Sequence, residues 1–297
     1  MDLVTETRHR SAIGLEIQPP LDIATILANG QIEAAKAIEA AKPAICDGSA
    51  AMARQFLAGG KLIYAAAGSS GLMALADASE LGGTFGIDTA KIRILMAGGI
   101  PTNGDMPGNT EDDSSSLTQA LSDLSDRDCL IAISASGSTP YTLEAAHIAK
   151  NAGTYVIGIA NNPGSPLLGQ SNCPILLPTP PEVISGSTRM GAATAQKMAL
   201  NMLSTMMAIH LGHVHDGMMI NLKADNIKLR QRARIIVQTI AQTSEDDATN
   251  ALETAQGNVK QAILLCAGIS DKAEAEALLS RHDDHLRAAL NALAAKD

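Results

Sequence analysis

Three times between residues 61 and 151 a short apolar run ends in glycine and hydroxyl-bearing residues and gives way to a helix-like stretch. The first unit is the run 62–67, the turn Gly68-Ser69-Ser70-Gly71 and a helical stretch over 72–80. The second is 92–97, a loop rich in Gly, Pro and Asn reaching Asn109, and a helix over 113–124. The third is 129–134, the turn Ser136-Gly137-Ser138-Thr139-Pro140 and a helix to Asn151, and two further strands follow at 155–160 and 174–177. Strands that alternate with helices form parallel sheets, because parallel neighbours need a crossover connection, and the helices then cover both faces. The expected fold class is therefore α/β, and ligands in such sheets bind beyond the carboxyl ends of the strands.

Around this centre the sequence predicts helices only. Residues 1–20 are polar, end in Pro19-Pro20 and read as an irregular arm of a kind that suits wrapping a neighbouring subunit; a helix follows over 22–41. A long helix begins near Ser187, another covers 226–243, and four short amphipathic stretches follow at 246–255, 258–267, 271–279 and 282–293. The expected organisation is a ligand-binding domain with its helical arm over residues 1–242 and a small all-helical domain over 243–297.

Composition excludes several classes. At 297 residues with 46% hydrophobic and 18% charged residues, the chain can bury a substantial core. It has no Trp and few aromatics, so few base-stacking platforms exist, and its net charge of −9 repels a phosphate backbone. Nucleic acid is thus not an expected partner, and any anionic ligand must be held locally. Cys46, Cys129, Cys173 and Cys266 lie far apart without a CxxC pair, which suits reduced thiols in a cytoplasmic protein. The N-terminal MDLVTETRHR has no apolar stretch of signal-peptide length, and the most apolar runs, such as 262–269, fall far short of the ~18–20 residues of a membrane span, so no membrane role is expected.

The turns at 68–71 and 134–139 carry Ser69, Ser70, Ser134, Ser136, Ser138 and Thr139. A helix N-terminus offers unpaired N–H groups and the positive end of a dipole, hydroxyls add donors, and glycine allows close approach, so each turn suits a phosphate. The plainer alternative is that these hydroxyls only cap helices. A third hydroxyl-rich segment contains Ser187 and Arg189, which supplies a cation. Glu80, and Glu111 beside Asp112 and Asp113, are candidate acids and bases, although such carboxylates are usually just solvated. His210, His213 and His215 lack a carboxylate partner at ligand spacing, so no metal site is expected.

Several segments, taken in order, resemble the N-acetylmuramic acid 6-phosphate etherases: Thr5-Glu6 with Arg8, AAGSSGLMALADASELGGTFG (65–85), Thr110-Glu111-Asp112-Asp113, SASGSTPYT (134–142), PEVISGSTRMGAATAQKMALNMLST (181–205) and GNVKQAILL (257–265). The resemblance covers nearly the whole chain. It implies a sugar isomerase (SIS) domain with a flavodoxin-like nested sheet, a C-terminal module resembling ubiquitin-associated domains, and a homodimer with sites near the subunit interface. It further implies cleavage of the D-lactyl ether of N-acetylmuramic acid 6-phosphate, giving N-acetylglucosamine 6-phosphate and D-lactate in cell-wall recycling, with no metal or organic cofactor. By position in the motifs, Glu80 is implied as the acid that protonates the departing lactate and Glu111 as the base at C2.

The chain departs from the family pattern at cationic positions. Leu72 and Ser138 stand where arginines are usual, Gly191 where a lysine is usual, and His9 closes a motif that usually ends in Asn. Losing charge-assisted bonds weakens the hold on a substrate with both phosphate and carboxylate. A phosphosugar isomerase of the same fold and a regulator that binds a sugar phosphate without turnover are therefore the competing readings.

Overall fold

The computed structural model describes residues 3–106 and 108–295. Its centre is a five-stranded, wholly parallel sheet of β1 (Leu62–Ala66), β2 (Ile92–Met96), β3 (Cys129–Ser134), β4 (Tyr155–Ala160) and β5 (Cys173–Leu176), in the order β2-β1-β3-β4-β5. The α/β class expected from the strand and helix alternation and the flavodoxin-like sheet implied by the resemblance are both present. β1 and β3 are buried at every residue, which is why they read as unbroken apolar runs: a parallel sheet is covered on both faces.

In chain order the α-helices begin with α1 (Pro20–Ala35), α2 (Ile38–Leu57), α3 (Gly68–Phe85), α4 (Leu117–Ala120), α5 (Pro140–Asn151), α6 (Pro166–Gln170) and α7 (Gly191–His210). They continue with α8 (Ile227–Ala241), α9 (Glu245–Thr254), α10 (Val259–Cys266), α11 (Lys272–Ser280) and α12 (Leu286–Ala294). Side chains alternate across a strand, so each face receives half of them. Ile63, Ala65, Leu130, Ala132 and Val156 meet Tyr141, Ala145, Ala146 and Ala149 of α5 together with Leu117 of α4. On the other face α2 lies against β3, β4 and β5, and the Tyr64 hydroxyl donates to Asp77 of α3 at 3.1 Å. Asp77 also accepts from Asn201 Nδ2 at 2.8 Å and Ser204 Oγ at 2.9 Å, both on α7, so one buried carboxylate ties β1, α3 and α7 together. Burial raises its pKa, and these donors oppose that rise.

Two expectations for helices change. The single helix over 22–41 is two helices with a break at Lys36 and Ala37, and the second continues to Leu57 through Pro43. Proline costs an interior hydrogen bond, but Pro43 and Glu39 are exposed, so the carbonyl released there faces water. The helix expected over 113–124 shrinks to the four residues of α4, flanked by turns.

By compactness the chain divides into one unit of Met1–Ser79 with Ala90–Met206 and another of Glu80–Thr89 with Met207–Asp297. The second holds a two-stranded hairpin, β6 (Val214–His215) and β7 (Met218–Met219), and α8 to α12 around Ile236, Val237, Ala262, Ile263, Leu278 and Leu286. Lys260 in this core is 1% exposed; its ammonium donates to the Asp284 carbonyl at 2.9 Å and to the Asp284 carboxylate. No helix among the described residues is long and apolar enough to cross a membrane.

Candidate functional site

The order β2-β1-β3 has a chemical consequence at the sheet's carboxyl edge. After β1 the chain turns toward β2, and after β3 it turns the other way toward β4, so a crevice opens between the two exits. The turn after β1 carries Ser69 and Ser70, and the turn after β3 carries Ser134, Ser136, Ser138 and Thr139.

A cavity of about 140 Å³ lies there, lined by Thr5, Glu6, Ala67, Ser69, Ser70, Glu111, Ser134, Ala135, Ser136, Thr139, Gly186 and Thr188. Of the residues singled out from sequence, it gathers Ser69, Ser70, Ser134, Ser136, Thr139 and Glu111. Ser138 is exposed and bonds to Ser136 Oγ at 3.0 Å without lining the cavity. Ser187 and the exposed Arg189 do not line it, whereas their neighbours Gly186 and Thr188 do. Glu80 is exposed on α3 and is not a lining residue. Thr5 and Glu6 line it without having been singled out as binding groups; only the resemblance had marked them.

Local structure explains why the hydroxyls point inward. Thr139 precedes α5 with Pro140 at its first position, yet its side chain makes no capping bond. Thr139 Oγ1 instead pairs with Ser134 Oγ at 2.8 Å, Ser134 Oγ lies 3.2 Å from Ser136 Oγ, and Gly137 N donates to Ser134 Oγ at 3.0 Å. These hydroxyls form a mutual network at the strand's end, so simple capping does not account for them. On the other side α3 begins at Gly68, and the N–H groups of a helix's first turn have no acceptor within the helix. Gly68 has φ +52°, a backbone conformation that favours glycine, and a Cβ there would lie 2.7 Å from Glu111 Oε1, so a larger residue would displace this carboxylate.

Glu111 is fixed through its backbone, where Tyr141 N donates to Glu111 O at 3.1 Å. Half-burial raises its carboxyl pKa, and the nearby Asp112 adds to the rise. It also lines a neighbouring cavity of about 260 Å³ with Gly68, Met96 and the loop residues 97–103, 105 and 106. Glu111 therefore stands where a small hydroxyl-lined recess meets a roomier one. Among the described residues no lysine or arginine lines either recess. Position 191, where the cation is absent, has little room for a side chain: a Cβ on Gly191 would lie 2.8 Å from Ala34 Cβ and 3.1 Å from Glu182 Oε2. Buried Glu182 accepts from Gly191 N at 2.9 Å and Ala192 N at 2.8 Å, so the start of α7 is already occupied by the chain's own carboxylate.

Elsewhere, a larger cavity of about 740 Å³ lies between α8 and α9, lined by Ile227, Leu252, Arg230 and Arg234 among others, but no strand ends there in a hydroxyl-bearing turn. His213 is buried and its pKa falls to about 4, chiefly through burial and then through the charge of Lys260. Among the described residues no three His, Cys, Asp or Glu side chains gather closely enough to hold a metal ion.

A doubly wound parallel sheet with hydroxyl turns at its switch point defines the SIS class of domains, and the SIS domain pattern matches residues 104–210. The structure of a putative phosphosugar isomerase involved in capsule formation from Bacteroides fragilis superimposes with a TM-score of 0.51 at 21% identity, over 67% of this chain and 95% of that one, a likeness of fold alone. The N-acetylmuramic acid 6-phosphate etherase of Deinococcus radiodurans is 39% identical over 88% of this chain and 86% of its own length. That of Aliivibrio fischeri strain MJ11 is 36% identical over 97% of both. The chain belongs to the N-acetylmuramic acid 6-phosphate etherase family.

Proposed function

We propose that this protein is a carbon–oxygen lyase that cleaves the D-lactyl ether of N-acetylmuramic acid 6-phosphate, releasing D-lactate and N-acetylglucosamine 6-phosphate. The observation that carries the site assignment is the recess at the β1/β3 exits, where neutral donors on two turns meet a carboxyl whose pKa burial has raised. The phosphate rests on Ser69, Ser70, Ser134, Ser136 and Thr139 with the N–H groups that open α3, and Ser138, Ser187 and Arg189 lend outer support. The sugar extends toward the roomier recess past Glu111.

In the open-chain sugar the aldehyde acidifies the C2 hydrogen, so Glu111 removes it as a base. The C3 lactyl oxygen then leaves as it takes a proton from Glu80, and water adds to the resulting double bond. A carboxylate made more basic by burial suits the first step, since proton abstraction gains from a pKa nearer the working pH. Glu80 is assigned its role by its position in the family motif, with the site near the interface of a homodimer. This activity belongs in the cytoplasm, on phosphorylated sugars recovered from cell wall, and the helical residues 243–297 are read as a separate domain.

Incubation with N-acetylmuramic acid 6-phosphate and assay of D-lactate is the test. Lactate release that disappears in Glu80→Ala is the expected result. Normal release by that variant would remove Glu80 from the mechanism, and ketose formation without lactate would favour an isomerase.

A further inference from the structure

The recess is walled on one side by the first described residues of the chain, and that wall is held mainly through its backbone. Val4 N donates to Asn162 Oδ1 at 2.7 Å, and Asn162 Nδ2 reaches buried Thr5 Oγ1 at 3.3 Å and Ala135 O at 2.9 Å. Gly186 N donates to Thr5 O at 3.2 Å, and Ser185 Oγ donates to Glu6 O at 2.9 Å. Residues 4–7 thus form a strap across the loops after β3 and before α7, with no role for the Glu6 side chain in any of these bonds. That side chain is left to line the recess, its Oε2 3.2 Å from the position a Cβ on Gly186 would take.

A second carboxylate in a phosphate recess without lysine or arginine needs a reason. It repels the phosphate, so it costs affinity unless the ligand brings a donor for it. A sugar phosphate brings such donors in hydroxyl and amide hydrogens set away from the anionic oxygens, whereas inorganic phosphate has only the P–OH hydrogens on the anion itself, too close to its charge to offset the repulsion. We propose that Glu6 is a specificity residue: its carboxylate accepts a hydrogen bond from a hydroxyl or amide N–H of the bound amino sugar, so that the recess favours a sugar-borne phosphate over a bare one. The assignment rests on reading the recess as the phosphate site, and it is independent of whether lactate is released.

The test is calorimetric titration of wild type and Glu6→Gln with two probes, inorganic phosphate and N-acetylglucosamine 6-phosphate. The glutamine keeps the shape and every backbone bond of the strap. Losing a charged acceptor should weaken the sugar phosphate about tenfold. Removing a neighbouring negative charge should tighten inorganic phosphate by about threefold or more. Opposite movement of the two affinities is the signature, since a purely structural role shifts both the same way. Ser185→Ala, which loosens the strap without touching the carboxylate, should weaken both together. Two affinities that move in the same direction in Glu6→Gln, or that do not move, overturn the proposal. Failure of both wild type and Glu6→Gln to bind either probe is a separate result, which removes the phosphate reading of the recess and this proposal with it.

Discussion

Glu111 concentrates most of the chemistry that one residue can be asked to carry. Its carboxyl pKa is raised by burial and by Asp112, so its charged form is destabilised relative to an exposed glutamate near ~4.3. The base is the ionised form, and it is lost as pH falls through this raised pKa. The acid limb of kcat/KM for lactate release should therefore have its midpoint above the ordinary glutamate value. Glu111→Gln should lower kcat by about 10²- to 10⁴-fold, the usual yield of a positioned proton-transfer group, and should erase that limb. A variant that keeps the acid limb would assign it to another group. Asp112→Asn removes one contributor to the rise and should move the midpoint down. The pH-rate profile reads both effects, and a midpoint that stays put in Asp112→Asn would leave burial alone as the cause.

At the scale of elements, the start of α7 shows how a single buried carboxylate sets the layout of the site. Glu182 accepts from two of the first N–H groups of α7, which complements the helix dipole and occupies donors that could otherwise face an anion. Glu182→Ala leaves those donors buried without their acceptor and should destabilise the chain by about 2 kcal/mol, measured by urea unfolding. An unchanged midpoint would mean that the helix start is held by other contacts. This capping was hidden in the sequence, because Glu182 and Gly191 are nine positions apart with an irregular segment between them. The strands were legible to within a residue, since apolar runs covered on both faces have no other simple explanation. The stretch of α2 beyond Ala41 was not, because Pro43 reads as a stop unless its exposure is known. In the recess the serine turns were legible from local pattern, whereas Glu111 was marked only by the family resemblance, since an acidic run in a loop is usually just solvated. Glu6 was not legible from local pattern either, because its place depends on backbone bonds to Ser185 and Gly186, which lie about 180 positions along the chain.

At the scale of the whole molecule, α1 stands largely uncovered. This helix has sixteen residues, yet only Ala34 is buried, and just before and at its start Ile13, Ile17 and Leu21 are 70%, 80% and 77% exposed. So much apolar surface on one segment is costly in water and fits an interface with a second copy. A dimer could also bring Glu80 of one copy to the recess of the other. If Glu80 acts across the interface, Glu80→Ala and Glu111→Ala are each inactive alone, but a mixed dimer contains one recess with both carboxyls and one with neither. Mixing the two variants under conditions that exchange subunits should restore about a quarter of wild-type lactate release, since half of randomly paired two-fold dimers are mixed and each has one complete site. If Glu80 served the recess of its own chain, every site in the mixture would lack one carboxyl and no activity would return. Ile17→Asp combined with Leu21→Asp should convert the protein to a monomer by sedimentation and abolish the restoration, which ties the exposed helix and the shared site to the same interface.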